Sequence, residues 1–217
     1  MQLRSDSFEH RGPIAAEFAM GAPAGFGGNR NPHLAWSAVP AGTRSFALLC
    51  IDTDAPTDGA LVADASTPIP VEHPRGDFVH WVVAGIPADV REVGAVSCSD
   101  GVTKSGKPAG SCSDGIAKRG KADPPGPAGA RQGLNDYTGW FAGDPDMGGD
   151  YLGYDGPYPP ANDLRMHRYF FRLFALDAAQ LDLPKKFTAA DMFRAMHGHV
   201  LDEASIYGTY ALNEVAN

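Results

Sequence analysis

Asp52 and Asp54 stand two residues apart in the run Asp52-Thr53-Asp54-Ala55-Pro56, at the exit of an apolar stretch. Side chains at i and i+2 leave a strand on one side, so both carboxylates would face one ligand. Pro56 cannot donate to a ladder and marks where pairing should stop. His80, within Asp77–Ile86, and His167, ahead of Arg168-Tyr169-Phe170-Phe171, set two imidazoles in apolar surroundings. An imidazolium can give one N–H to an oxyanion and the other to a carboxylate. Asp52 and Asp54 would raise the protonated fraction and create a positive spot inside an acidic chain. The carboxylates could also receive a ligand ammonium, so a small ligand carrying both signs would satisfy the site. Gly156, in Tyr154-Asp155-Gly156-Pro157-Tyr158-Pro159-Pro160, would let a phosphate approach the backbone.

Other chemistries fit less well. A calcium loop needs an acid or Asn at its fifth position and glycine at its sixth, where Pro56 and Thr57 stand. No Gly-x-Ser-x-Gly elbow occurs, and neither Cys98 nor Cys112 is paired with a histidine by spacing. His197 and His199, two apart on a predicted helix, cannot grip one metal together. No metal and no cofactor is expected.

These groups need rigid elements behind them. Arg44–Ile51, ending at Asp52, reads as a buried strand behind the turn Pro40-Ala41-Gly42-Thr43. Asp77–Ile86 and Arg168–Leu176 are similar β-branched and aromatic runs. All three are expected in one sheet. Thr188 can cap a helix in which Met192, Phe193, Met196 and Val200 recur at spacings of three and four. A last strand is predicted over Ala204–Leu212. Long helices do not alternate with strands, so a mainly β fold is expected rather than a doubly wound one.

The 217 residues suit a single domain, 1–217, and 43% hydrophobic residues suffice for a core. The segment from about 97 to 152 turns to Gly, Pro, Ser, Lys and Asp and reads as a long irregular insertion. Within it Ser97–Lys107 recurs as Ser111–Lys121, a duplicated 14-residue unit without phosphate-loop spacing. A surface loop is the expectation for both copies. A formal charge of −8 repels phosphate backbones, so nucleic acid is not an expected partner. No stretch is apolar enough to span a bilayer, no secretory signal is visible, and three scattered cysteines make no disulfide framework. A cytoplasmic protein is the default expectation.

Several of these pieces, taken in order, resemble one family. Asp52-Thr53-Asp54-Ala55-Pro56 is similar to the Asp-Pro-Asp-Ala-Pro signature of the phosphatidylethanolamine-binding (Raf kinase inhibitor-like) family, with Thr53 in place of the proline. His80-Trp81-Val82-Val83 resembles its His-containing strand, and Gly156-Pro157 through His167-Arg168-Tyr169 resembles its Gly-Pro…His-Arg-Tyr block. Asn31–Leu48 and Gly198–Tyr210 resemble the two ends of its bacterial branch.

The resemblance implies an antiparallel β-sandwich with a C-terminal helix and a small anion pocket. Asp52, Asp54, Pro56, His80, Gly156, Pro157, His167 and Tyr169 match its pocket positions. It implies a non-enzymatic protein that binds small phosphate-bearing or other anionic ligands, and in some relatives inhibition of kinases or proteases through protein contacts. Tyr158 stands where bacterial relatives often carry a smaller residue, which bears on the pocket's width. The alternative is a magnesium-dependent phosphatase with Asp52 as nucleophile, since haloacid dehalogenase-like phosphatases also carry Asp-x-Asp after a hydrophobic strand. Pro56 and the missing alternating helices argue against it.

Overall fold

In the computed structural model, which describes every residue except 100–125, 128, 146, 215 and 217, the three apolar runs lie side by side. The chain runs β1 (Gln2–Arg4), β2 (Gly21–Ala22), β3 (Gly25–Phe26), β4 (Leu34–Ser37), β5 (Ser45–Pro56), α1 (Gly59–Ala63) and β6 (Arg75–Pro87). It continues through β7 (Glu92–Val93), β8 (Arg131–Gln132), α2 (Tyr137–Trp140), β9 (His167–Leu176), α3 (Ala189–Met196) and β10 (Val200–Tyr210). The large sheet has the order β10-β9-β5-β6-β8 with every neighbour antiparallel. A smaller antiparallel sheet, β1-β4-β7, covers one of its faces, which gives the expected sandwich.

The continuous apolar character of β5 follows from burial on both sides. Phe46, Leu48 and Cys50 pack inside the sandwich with Trp36, Trp81 and Phe171. Ala47, Leu49 and Ile51 point the other way, against Phe187 and against Met192 and Met196 of α3. A two-sided strand cannot alternate apolar with polar. Trp36 and Trp81 are both core residues, as expected.

Several boundaries differ from the sequence reading. β5 does not stop at Asp52 but pairs with β6 as far as Pro56, opposite Arg75, across an irregularity between Asp52 and Ala55. Three steps along β5 match two along β6 there, which is a β-bulge. α3 ends at Met196, and Val200 begins β10 instead of extending the helical stripe. His197 and His199 accordingly lie in the turn between them, not on a helix. The insertion is not wholly irregular, because β8 and α2 form within it. Most of the first duplicated copy, all of the second and Cys112 lie outside the described residues.

The outer edge of β10 is partly closed by residues 11–14. Arg11 N–H donates to the Tyr207 carbonyl at 2.7 Å, and Ile14 N–H to that of Thr209 at 2.8 Å. Thr209 N–H returns to the Gly12 carbonyl at 2.9 Å. A covered edge cannot template pairing with another chain. Among the described residues no helix is long and apolar enough to cross a membrane.

α3 shows how a short helix is held. Thr188 Oγ1 accepts from Asp191 N–H, and the Asp191 carboxylate accepts from Thr188 N–H at 3.0 Å, a reciprocal cap. Met192 is fully buried against the sheet. Met192→Ala is expected to cost about 2–5 kcal/mol through the cavity it leaves, and Thr188→Ala about 1 kcal/mol. Paired urea melts check the order, and equal losses would show that capping, not burial, holds α3.

Candidate ligand pocket

Where β5 bulges, its two aspartates part company. Asp52 itself stays in the ladder, in register with Phe78 and Tyr169, and its carboxylate accepts Asp54 N–H at 2.8 Å. Asp54 is gripped by two arginines. Arg165 Nε donates at 2.7 Å, Arg168 Nε at 2.8 Å and Arg168 Nη2 at 2.9 Å. Burial opposes ionisation, but Arg168 and Arg165 hold the Asp54 pKa below the ordinary value. The i, i+2 rule assumes an unbroken ladder, and the bulge removes that condition. Asp52 lines the pocket and Asp54 does not.

His167, the first residue of β9, lies between two carboxylates. Its Nδ1 meets Asp52 Oδ2 at 2.7 Å and its Nε2 meets Asp163 Oδ2 at 3.0 Å. A neutral imidazole has one N–H, so donating to both acids requires the imidazolium. Burial favours the neutral ring, yet Asp163 and Asp52 outweigh it and push the His167 pKa up to about 9. Asp163 also accepts Arg75 Nη2 at 3.0 Å and the Arg165 N–H at 3.0 Å, and sits at a pKa of about 2 against the pull of burial. Both ring nitrogens of His167 are therefore engaged within the protein.

His80, on β6, is the opposite case. Its Nδ1 lies 2.7 Å from the Asp155 carbonyl oxygen, which can only accept, so the proton is on Nδ1. Burial drives its pKa below the usual imidazole value, against the nearby Asp52 charge. The ring is neutral, and Nε2 carries a lone pair that makes no hydrogen bond among the described residues. Aromatic rings surround it: Phe78 at 5.1 Å, Tyr137 at 5.6 Å and Tyr169 at 5.2 Å between centroids.

Asp52, Pro56, His80 and His167 border one pocket of about 650 Å³. Gly156, Pro157 and Tyr169, expected in the pocket, are not among its lining residues. The position where a Gly156 Cβ would stand is 2.2 Å from the Phe18 carbonyl oxygen, so this glycine admits another backbone rather than a phosphate. The Pro157 carbonyl accepts Met20 and Gly21 N–H, both at 3.0 Å, and docks the same block onto residues 18–21. Tyr169 is fully buried, and its hydroxyl has no hydrogen-bond partner among the described residues. Burial, then the Asp52 charge, lift its pKa well above the ordinary phenol value.

Tyr158, expected to bear on the pocket's width, is in the lining, but the other rings were not foreseen: Phe26, Phe78, Tyr137, Trp140 and Phe141, with Met147. The cluster Tyr137-Thr138-Gly139-Trp140-Phe141, aromatic within a Gly-rich segment, was the available signal. Asp163 and Arg75 were also missed, although Asp163 precedes His167 by four residues.

The charge state of His167 sets a pH dependence. Its folded pKa is raised, so its contribution is fully present below the unfolded imidazole value of about 6.5 and disappears as pH climbs through about 9. The size is on the order of 3 kcal/mol. Urea melts from about pH 6 to 10 are expected to show stability falling on the alkaline side, with a flatter slope in His167→Gln. Parallel slopes for the two proteins would remove His167 as the source.

Comparisons with known proteins agree with this fold. A family model described as phosphatidylethanolamine-binding protein matches residues 4–211. The UPF0098 protein of Methanothermobacter thermautotrophicus is 32% identical over 210 residues, 97% of this chain and 98% of that one. The UPF0098 protein YbhB of Escherichia coli is 31% identical over 191 residues, 85% of this chain and 84% of its own. The crystal structure of E. coli YbcL, described as a member of the mammalian PEBP family, matches with a TM-score of 0.67 at 25% identity over 97% of each chain. With a family match that spans both sheets and every residue of the pocket floor, the chain belongs to the phosphatidylethanolamine-binding protein family.

Proposed function

We propose that this protein is a binding protein rather than a turnover enzyme, and that its pocket takes a small ligand through a phosphate or other anionic head group. The observation that carries this reading is His80 in the lining of a cavity of ligand size, with Nδ1 fixed by the Asp155 carbonyl and no hydrogen bond to Nε2 among the described residues. A neutral imidazole accepts, so an anion must arrive with a proton or draw one from water. Protonated, His80 would donate Nε2–H to one phosphate oxygen. A phosphate hydroxyl or a ligand ammonium would face the Asp52 carboxylate. The positive His167 next to Asp52 limits repulsion of an anion.

Membership of the family supports ligand binding in general. The engagement of Asp52 by Asp54 N–H and His167 disfavours the alternative of a phosphoryl-accepting nucleophile, because both oxygens already accept charge-assisted or backbone bonds. Free buried thiols at Cys50 and Cys98 suit a reducing compartment and support a cytoplasmic setting.

Calorimetric titration with phosphoethanolamine is expected to show affinity rising as pH falls from about 8 to about 6, with net proton uptake on binding. His80→Ala is expected to weaken it about 10–100-fold, the loss of a hydrogen bond to a charged group. Unchanged affinity in that variant would overturn the proposal. Magnesium-dependent hydrolysis of a phosphate monoester that stops in Asp52→Asn would replace it with the phosphatase.

A further inference from the structure

The mouth of the pocket has a character that the head-group site does not require. Phe26, Trp140 and Tyr158 are 48%, 45% and 41% exposed, and all three border this one cavity. They come from β3, α2 and the turn after Pro157, segments far apart in the chain. Exposed aromatic rings are unfavourable unless something covers them, and here they converge.

Their placement is built. The Cβ that Gly21 lacks would stand 2.1 Å from Tyr158 Cδ2, so the Tyr158 ring lies directly against that backbone. Phe26 meets Tyr158 edge-on at 6.0 Å, and Trp140 meets Phe78 edge-on at 6.5 Å. The Tyr137 and Phe141 rings, stacked at 5.7 Å, line the same cavity. The cavity has room for far more than the five heavy atoms of a phosphate, at roughly 30 Å³ for each water displaced. Ring walls with edges and faces presented inward are complementary to another ring, through offset or edge-to-face contact, more than to a flexible chain.

Resting on the head-group reading above, we propose that the pocket selects ligands in which a flat aromatic ring is joined to the anionic head, with Trp140, Tyr158 and Phe26 as the specificity-determining residues. The head is set at His80 and the ring lies among the mouth residues. Inorganic phosphate and phosphoethanolamine fill only the floor.

The test is calorimetric titration of the full chain with four probes: inorganic phosphate, phosphoethanolamine, butyl phosphate and phenyl phosphate. Phenyl phosphate is expected to bind at least about tenfold more tightly than the other three, the scale of one or two well-placed ring contacts. That preference is expected to collapse toward unity in Trp140→Ala and Tyr158→Ala. Trp36 and Trp81 are buried, so quenching of exposed tryptophan emission by phenyl phosphate reports Trp140 directly. Gly21→Ala, which pushes the Tyr158 ring into the mouth, is expected to reduce the preference without removing any ring.

Equal affinities for phosphate and phenyl phosphate, both still lost in His80→Ala, would overturn the ring selection and leave the head-group site standing. Butyl phosphate matching phenyl phosphate would replace the ring with any apolar tail. Failure of every probe to bind would overturn both readings. Binding of phosphatidylcholine vesicles that depends on Trp140, with no preference among the soluble probes, would make the mouth a membrane contact.

Discussion

The imidazolium of His167, held between Asp52 and Asp163, is the constraint on which the site depends. Two buried acids would otherwise repel each other, and one of them would have to take up a proton. The shared cation donates to one carboxylate from each ring nitrogen, fixes their orientation and helps hold the Asp163 pKa low. Arg75, from β6, completes the second carboxylate's shell and also donates to the Asp54 and Pro70 carbonyls. β5, β6, β9 and the turn before β9 are thereby tied through one set of charges. Such clusters add little net stability over well-packed apolar groups, but losing one member leaves an uncompensated buried charge, at about 3–5 kcal/mol.

This arrangement divides labour between two histidines that look alike in the sequence. His167 is charged and fully engaged, so it serves the protein. His80 is neutral, fixed by the Asp155 carbonyl through one nitrogen, and open at the other. The same division separates the aspartates, since Asp54 anchors Arg165 and Arg168 while Asp52 reaches the cavity. A signature motif thus mixes residues that face the cavity with residues that hold those in place.

The elements were legible where one physical signal dominated. β5, β6 and β9 showed as continuous apolar runs because both faces of the central sheet are buried. α3 showed through its cap and the buried Met192 and Met196. Asp52, Pro56, His80 and His167 were legible through the order of the motif pieces. The bulge at Asp52 was not, because an extra residue in a strand changes pairing without changing composition. Asp163 was hidden in Pro159-Pro160-Ala161-Asn162-Asp163, where aspartate is an ordinary turn residue. Gly156 was misassigned because what approaches it is the Phe18 carbonyl, from a distant part of the chain. The ring-lined mouth follows no period that a sequence window could detect.

β9 alternates strictly at its start, with His167, Tyr169 and Phe171 inward and Arg168, Phe170 and Arg172 half-exposed. A slip of one residue against β5 would reverse that set. Arg168, Phe170 and Arg172 would turn into the sandwich, and His167 would swing to water, leaving Asp52 and Asp163 facing each other without their cation. An apolar core tolerates a shifted partner of similar size, but an imidazolium that gives one N–H to each of two fixed acids does not. The charge cluster therefore acts as a proofreading device for strand alignment, admitting one register of β9 and rejecting its nearest neighbours.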